Sequence, residues 1–309
     1  MRSSERTFRT TDGHEPFVYR WEPDEGVSRR AFVHLVHGMA EHAARYARLA
    51  EALTARGLVV YAHDHRGHGR TAKTPDDLGH FGDGIGWGRV VDDLIELVRS
   101  ERSEHAGLPA VLFGHSMGSF MVQQAIYSDP TLADVAILSG TNGKPDPLAA
   151  AGRGVARIER LRLGERGKST LLRAVSFDTW NKAFAPNRTA FDWLSRDPAE
   201  VDKYVADPHC GFSCTTELWV QLLDALGELA RPDNQARIKK TLPIYVFSGS
   251  EDPVGRRTKG VRQLLEAYAR AGLTDVTHRF YEGARHEMLN EQNRDEVTAN
   301  LVEWLEAKI

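Results

Sequence analysis

The stretch Pro109 to Tyr127, PAVLFGHSMGSFMVQQAIY, carries the strongest fold signal in the chain. It begins as a compact apolar run, turns at a serine flanked by glycines, and continues as an apolar helical pattern. G-x-S-x-G between a strand and a helix is the pattern of a nucleophile elbow, a sharp and strained turn that exposes the serine hydroxyl. Larger side chains at the two glycines would collide with neighbouring backbone. The motif Gly114–Gly118 therefore predicts that Ser116 is a nucleophile.

Further apolar runs of strand length lie on both sides of this stretch, at Arg30–His37, Leu58–His63, Val135–Ser139, Leu242–Ser248 and Thr277–Tyr281. Such runs are typical of parallel strands that are covered on both faces. Helical patterns lie between or after them, at Glu41–Arg56, Gly86–Arg102, Ser119–Tyr127, Gly260–Arg270 and Asp295–Lys308. This alternation predicts an α/β fold with a mostly parallel sheet flanked by helices.

A serine nucleophile needs a general base near neutral pH, and histidine is the usual one. Where a G-x-S-x-G elbow carries the serine, the acid and then the histidine follow it along the chain. Three histidines follow Ser116, namely His209, His278 and His286. His278 begins a predicted strand and His209 lies in a helical region, whereas His286 lies in a polar loop after the last strand. We therefore predict that His286 is the base.

The histidine in turn needs an acid that fixes its tautomer. Asp252 lies in the loop SGSEDPV, which directly follows the predicted strand at Leu242–Ser248. Glu251 is its neighbouring competitor, and Asp275 is a weaker one because it begins a strand. We predict that Asp252 is the third member of the triad.

The negative charge that develops on the attacked carbonyl needs two N–H donors. One is expected from the residue after the nucleophile, which is Met117. The other is expected from the loop HGMAEH, which follows the strand at Arg30–His37 and contains a glycine for close backbone approach. We predict that the amides of Met39 and Met117 form the oxyanion hole.

The stretch from about Thr141 to Gln235 interrupts the strand and helix alternation, because it shows helical patterns and no convincing strand. We expect residues 1–140 and 236–309 to form the core and residues 141–235 to form a helical cap. The insertion contains six large aromatic residues, Phe177, Trp180, Phe184, Phe191, Trp193 and Trp219. We interpret most of them as packing within the insertion, and we expect some to face the site as an apolar acyl-binding wall.

Five segments together resemble the monoacylglycerol lipase and bacterial lysophospholipase-like group of the α/β-hydrolase superfamily, of the serine aminopeptidase type. They are HGMAEH at His37–His42, DHRGHGRT at Asp64–Thr71, GHSMG at Gly114–Gly118, SGSEDPVG at Ser248–Gly255 and EGARHEMLNE at Glu282–Glu291. FDWLSRD at Phe191–Asp197 and YVADPHCGF at Tyr204–Phe212, inside the insertion, resemble that group as well. Thr71 departs from the serine that the family commonly has.

The resemblance implies an eight-stranded sheet, a helical cap and hydrolysis of lipid-like or small carboxylic esters through an acyl-enzyme. It carries the triad onto Ser116, Asp252 and His286, and the oxyanion amides onto Met39 and Met117. The expected partner is a small-molecule or lipid ester, and no cofactor is expected.

Three alternatives are weighed against this interpretation. The run His63–His68 nearly spells the metal-binding H-x-H-x-D-H pattern, but Gly67 stands where the aspartate should be. A proline-type aminopeptidase on the same fold typically has a tryptophan where this elbow has Met117. A non-catalytic ligand receptor could use the same scaffold, since a fold does not guarantee activity, although such receptors tend to lose a triad residue.

Composition restricts the other classes of partner. With 40 basic and 43 acidic residues the formal net charge is −3, which gives no electrostatic reason to expect nucleic acid. The first residues, Met1 to Arg9, are polar and show neither a secretion signal nor a membrane span, so we expect a cytoplasmic protein. A helical cap over an ester site would allow transient membrane contact. Cys210 and Cys214 are expected to be reduced, buried thiols. Nothing in the sequence points to one oligomeric state.

Overall fold

A computed structural model describes residues 1–145 and 147–309 of the chain. Its eight strands are β1 (Arg2–Thr7), β2 (Phe17–Glu22), β3 (Ala31–Val36), β4 (Leu58–His63), β5 (Ala110–His115), β6 (Val135–Ser139), β7 (Ile244–Gly249) and β8 (Val276–Tyr281). They form one sheet in the order β1-β2-β4-β3-β5-β6-β7-β8. Strands β3 to β8 run parallel, while β1 and β2 are antiparallel to their neighbours. The predicted α/β fold with a mostly parallel, eight-stranded sheet is confirmed.

The helices cover both faces of this sheet. They are α1 (Ala47–Thr54), α2 (Trp87–Glu104), α3 (Met117–Ser128), α4 (Pro147–Leu163), α5 (Thr170–Arg173), α6 (Thr179–Lys182), α7 (Pro198–Ala206), α8 (Thr216–Leu229), α9 (Pro232–Gln235), α10 (Lys259–Arg270) and α11 (Arg294–Glu306). Leu53 of α1 and Leu301 of α11 belong to the buried cluster on one face of the sheet. Leu94 of α2, Met121 of α3 and Leu264 of α10 belong to the cluster on the other face.

The strands that sequence patterns predict all form, within a few residues of the predicted bounds. Strands β3 to β7 are buried along their whole length, as continuous apolar runs require. The helix predicted over Glu41–Arg56 is shorter than expected, because residues Ala43–Tyr46 form a 3-10 turn before α1 begins. The two strands absent from the pattern analysis are the edge strands β1 and β2, and almost every residue of β1 is exposed.

The chain between β6 and β7 contains α4 to α9, and no strand occurs among its described residues. We call residues 141–235 the inserted segment. Helix α8 of this segment is capped by Thr215, whose side chain accepts a hydrogen bond from the Leu218 N–H. Helix α8 packs against α4 within the segment and against α2 and α3 of the sheet layer. The inserted segment therefore lies over the helices next to β5. None of the described helices is both long and apolar enough to cross a bilayer.

Parallel strands end at one edge of the sheet, and the loops that follow them meet there. The loop after β3 begins at His37, the elbow follows β5, and the loops after β7 and β8 contain Asp252 and His286. Residues that are distant in the chain are thereby brought to a single edge.

Candidate active site

Ser116 lies between β5 and α3 with φ 51° and ψ −121°, a backbone conformation that non-glycine residues rarely adopt. Its N–H donates to the Ser139 carbonyl at 2.9 Å, which ties the turn to β6. A Cβ at Gly114 would lie 2.5 Å from the Gly118 oxygen, and one at Gly118 would lie 2.1 Å from the Val36 oxygen. The two glycines are thus required by close backbone contacts, as the elbow motif predicts.

Asp252 and His286 form a buried pair at the same edge of the sheet. His286 Nδ1 lies 3.0 Å from each carboxylate oxygen of Asp252, and the two side chains are 2% and 0% exposed. The Val254 N–H (2.9 Å) and the Ser248 hydroxyl (3.2 Å) also donate to this carboxylate. These donors hold the carboxylate so that it can orient the imidazole ring.

The pKa values of the pair move in opposite directions. Burial alone would raise the pKa of Asp252, but the charge of His286 and the hydrogen bond between them outweigh it, so the pKa of Asp252 is lowered. Burial alone would lower the pKa of His286, yet the Asp252 carboxylate raises it above the ordinary value of 6.5. The charged form of the imidazole is thus stabilised, as a base that must accept a proton requires.

Ser116 and His286 line the same cavity, although no hydrogen bond joins them directly in the described structure. Gly140 directly follows β6, and a Cβ there would lie 2.9 Å from His286 Cε1. The ring of His115 packs against His286 with centroids 4.8 Å apart, and burial lowers the pKa of His115 to about 4. Contacts between a nucleophile and its base are often looser in a ligand-free site than in a complex.

The competing acids and histidines lie elsewhere. Glu251 pairs with Arg257 (2.9 Å), and Asp275 pairs with Lys308 (2.7 Å). His278 is exposed on β8, and His209 lies in the loop between α7 and α8. None of these four side chains lines the cavity that contains Ser116.

Both residues predicted for the oxyanion hole, Met39 and Met117, line the cavity. Met117 is the first residue of α3, so its N–H has no acceptor within the helix and is directed toward the helix start. The N–H of Gly38, next to Met39, donates to Glu41 Oε1 at 2.5 Å. The Glu41 carboxylate therefore holds the loop after β3.

A buried ion network that sequence analysis missed connects this loop to the loop that contains the predicted base, His286. Arg45 donates to Glu41 at 2.6 Å and to both oxygens of Glu287 at 2.7 Å. Glu287 directly follows His286, so one guanidinium joins the loop after β3 to the loop after β8. The spacing of Glu41 and Arg45 by four residues was a usable local signal, but the contact with Glu287 depends on the arrangement of the strands.

The cavity has a volume of about 450 Å³ and is mostly apolar. Four of the six predicted aromatic residues line it, namely Phe177, Trp180, Trp193 and Trp219. The ring of Trp193 lies 5.0 Å from the ring of His286, between centroids. Phe184 and Phe191 do not line the cavity: Phe184 packs under Arg285 and Phe191 packs on Tyr204. Both interpretations of the aromatic residues thus apply, to different members of the set.

The histidine run considered as a metal site is used for hydrogen bonding. Both ring nitrogens of His63 and both of His65 have hydrogen-bonding partners. In the part of the chain that the structure describes, a single group of three has potential ligand atoms within 4.8 Å of one another, and it lies outside this run, at His42, Asp207 and Cys210. His42 Nε2 is already paired with Asp207 at 2.9 Å, and burial raises the pKa of the Cys210 thiol, which disfavours a thiolate ligand.

Residues 27–293 match the family described as serine aminopeptidase, S33. The chain is 31% identical to the monoacylglycerol lipase of Mycolicibacterium smegmatis over 98% of this chain and 96% of that protein. It is 30% identical to the human monoglyceride lipase over 89% of this chain and 80% of that protein. A solved structure of a thermostable carboxyl esterase from Bacillus coagulans, in complex with glycerol, is 26% identical, with a TM-score of 0.90 and 99% of each chain covered.

These matches cover most of the chain, including the elbow and the loops with Asp252 and His286. The chain therefore belongs to the serine aminopeptidase S33 family of α/β-hydrolases and, within it, to the monoacylglycerol lipase group.

Proposed function

We propose that this protein is a serine ester hydrolase in which Ser116, His286 and Asp252 act as nucleophile, base and orienting acid. The observation that carries the proposal is the buried Asp252–His286 pair, whose His286 lines the cavity that also contains Ser116 in a strained elbow. The substrate class that we propose is monoacylglycerol, lysophospholipid or a similar acyl ester. The names of the relatives and the apolar cavity wall both support that class.

In the proposed reaction, His286 Nε2 accepts the Ser116 proton while Oγ bonds to the ester carbonyl carbon. The carbonyl π electrons move onto oxygen, where the amides of Met39 and Met117 stabilise the negative charge. When the tetrahedral intermediate collapses, the bond to the alcohol oxygen breaks and His286 gives that oxygen its proton. Water then attacks the acyl-enzyme by the same route and releases the acid. Asp252 stabilises the imidazolium in both halves of the cycle.

We further propose that the inserted segment, residues 141–235, is a cap that binds the acyl chain, with residues 1–140 and 236–309 as the core. The four aromatic residues in the cavity wall are all part of this segment. An apolar wall lined by aromatic rings favours an alkyl chain over a charged or strongly hydrated group.

Contact of the cap with a lipid surface is part of the proposal. Among the described side chains of the inserted segment, six large apolar ones are exposed, and Leu161 is 86% exposed; the six are Ile158, Leu161, Leu163, Leu171, Val175 and Val205. Five of the six lie between positions 158 and 175 of the chain, whereas Val205 lies apart from them on α7, and grouped exposed apolar residues mark interaction sites more often than scattered ones do. We expect Leu161→Gln to reduce co-sedimentation with phosphatidylcholine vesicles, whereas Val205→Gln, at an exposed position on α7, leaves it unchanged. Equal binding of both variants and the wild type would remove this part of the proposal.

The triad is tested with a fluorophosphonate probe and a Ser116→Ala variant. We expect the probe to label the wild type at Ser116 and the variant to lose turnover of a p-nitrophenyl ester by on the order of 10⁶-fold. Ser103→Ala is the matched control, because Ser103 is exposed on α2 and, among the described residues, its hydroxyl bonds to the Arg99 carbonyl alone. Wild-type turnover by Ser116→Ala would refute the assignment, and an unlabelled Ser116 would favour a non-catalytic receptor.

The substrate class is tested with p-nitrophenyl esters of increasing chain length, a monoacylglycerol, a lysophospholipid and a proline anilide. Preference for long acyl chains and turnover of the monoacylglycerol are expected. Preference for the anilide would instead support an aminopeptidase, the activity in the name of the matched family.

We also propose that the protein is located in the cytoplasm, because Cys210 and Cys214 are free, buried thiols.

A further inference from the structure

A row of buried histidines runs beneath the loop after β3, and the proposed reaction uses none of them. His34 lies on β3, His63 ends β4, and His65 follows β4, while His37 follows β3. All four side chains are 0–1% exposed. Three hydrogen bonds connect them in series: His34 Nε2 to His63 Nδ1 (2.8 Å), His63 Nε2 to His65 Nδ1 (3.0 Å) and His65 Nε2 to the His37 carbonyl (2.9 Å).

The carbonyl at the end of this row decides where every hydrogen lies. A carbonyl can only accept, so His65 Nε2 carries a hydrogen and, in the neutral ring, His65 Nδ1 accepts. His63 must then donate from Nε2 and accept at Nδ1, which requires His34 to donate from Nε2. Burial lowers the pKa of His63 and of His65 well below the ordinary value, so both rings are neutral. The direction of the row is thus set, with His34 at its head.

Glu101 of α2 stands at the head of the row. Its carboxyl oxygens lie 2.9 and 2.8 Å from His34 Nδ1, and both side chains are 0% exposed. Among the described residues, His34 is the one hydrogen-bonding partner of this carboxyl group. Because His34 Nε2 already carries a hydrogen, a second hydrogen must lie between Nδ1 and the carboxyl group, either on glutamic acid or on an imidazolium.

Burial decides between these two states. Two charges in a fully buried site need further hydrogen bonds to offset their desolvation, and Glu101 has none besides that from His34. Burial raises the pKa of Glu101 well above its usual range and lowers the pKa of His34 to about 3. Of the charged side chains nearby, Arg6 and Arg20 favour the carboxylate and Glu104 opposes it, but burial is the largest effect.

We propose that Glu101 is a neutral carboxylic acid at neutral pH and a positioning residue, whose hydrogen pairs with His34 Nδ1, the acceptor left over at the head of the His34–His63–His65 row, and so supports the row that holds the His37 carbonyl. Its effect on turnover rests on the proposed function, because the His37 carbonyl lies at the base of the proposed oxyanion loop. A Cβ on Gly118 would lie 2.5 Å from that carbonyl oxygen, and one on Gly38 would lie 3.2 Å from Ser116 Cβ. The loop and the elbow therefore meet where the row ends.

Without a donor at position 101, the lone pair of His34 Nδ1 is buried with no partner, which costs the full desolvation penalty of that nitrogen. Reversal of the row would not remove this cost, because the lone pair of His65 Nε2 would then face the His37 oxygen and two acceptors cannot bond. The His34 ring must instead shift toward another partner, which weakens its bond to His63 and, through His65, the contact that holds the His37 carbonyl. A shift of about 1 Å in the oxyanion loop is enough to lower turnover by about 10²-fold.

The test uses Glu101→Gln and Glu101→Leu, with Glu104→Gln as the matched control. A glutamine amide donates to His34 Nδ1 as the neutral acid does, whereas leucine cannot. Glu104 lies one turn further along α2, partly exposed and paired with Arg20 at 2.5 Å. For a p-nitrophenyl ester we expect Glu101→Gln and Glu104→Gln to keep kcat within about threefold of the wild type. Glu101→Leu should lower kcat about 10- to 100-fold with little change in KM.

The state of the row is read independently by NMR of 15N-histidine-labelled protein, which distinguishes protonated from unprotonated ring nitrogens. We expect His34, His63 and His65 each to carry a hydrogen on Nε2 alone, in the wild type and in Ser116→Ala. A hydrogen on both nitrogens of His34 would overturn the neutral acid, and wild-type kcat in Glu101→Leu would overturn the positioning role. Because the NMR measurement needs no turnover, it stands even if the Ser116 assignment fails, and it replaces the kinetic test if Glu101→Leu does not fold.

Discussion

The sheet edge and the inserted segment build the two sides of one cavity by different physical means. At the edge, Ser116 lies in a tight turn with a strained backbone conformation, and a hydrogen bond joins Asp252 to His286. Individual atoms therefore have defined positions there. On the inserted segment, Phe177, Trp180 and their neighbours present rings that pack on one another at centroid distances of 5.0–5.9 Å. If the proposed function is right, we expect catalysis to depend on the positions of individual atoms at the edge, and substrate selectivity to depend on apolar area shared among many side chains.

Among the substitutions that compare the two regions, we expect Asp252→Asn at the sheet edge to lower kcat the most. An amide cannot stabilise the imidazolium and favours the wrong tautomer of His286, so we expect kcat to fall by about 10⁴-fold while the fold is retained. The measurement is kcat for a p-nitrophenyl ester together with a circular dichroism spectrum. A variant that retains most of its turnover would show that catalysis does not depend on the Asp252 carboxylate.

A pair of glycine substitutions compares the two regions by the same chemical change. Gly114→Ala places a Cβ 2.5 Å from the Gly118 oxygen, so we expect a loss of about 2 kcal/mol in unfolding free energy and a fall of about 10²-fold in kcat. Gly154→Ala in α4 meets no atom within 4 Å, and we expect a gain of about 0.5–1 kcal/mol with unchanged kcat. Urea unfolding and ester turnover measure both. Similar changes in stability and turnover for the two variants would contradict the proposed difference between the sheet edge and the inserted segment.

Removing one ring from the cavity wall should change selectivity more than chemistry. For Trp180→Ala we expect kcat/KM for a long-chain ester to fall about tenfold, because roughly half of a buried aromatic side chain's contribution is lost. A short-chain ester should be affected less than threefold. Phe184→Ala is the control, since Phe184 does not line the cavity. If the chain-length preference of Trp180→Ala matches that of the control, the wall does not bind the acyl chain.

The smallest effect is a shift in pH dependence. His286 acts as a base only when neutral, and the Asp252 carboxylate raises its pKa above 6.5. A raised pKa keeps the imidazole protonated to higher pH, so kcat/KM should decline as the pH falls through a midpoint above 6.5. In Asp252→Asn, residual activity should show a midpoint at lower pH, because the charge that stabilises the imidazolium is gone. An unchanged midpoint would show that the Asp252 carboxylate does not raise the pKa of the group that acts as the base.

The parts of the fold that could be predicted are those whose cause is local. The run PAVLF and the glycines around Ser116 lie within ten residues of one another, so strand, turn and helix could be predicted together. The strand β1 could not, because almost all of its side chains face solvent and its sequence, RSSERT, has no apolar alternation. The edge strand forms because the exposed edge of β2 offers backbone hydrogen bonds.

The amino-acid sequence by itself determined the alternation of strands and helices, the strained serine and the order in which acid and base follow it, since periodicity and turn sterics act within short stretches. The tertiary structure alone decided that His286 contacts Asp252, that Arg45 joins Glu41 to Glu287, and which aromatic rings face the cavity. It also placed Glu101 against His34, 67 positions apart in the chain. Such contacts arise because parallel strands bring distant loops to one edge and stack distant side chains across neighbouring strands, and no local pattern records that arrangement.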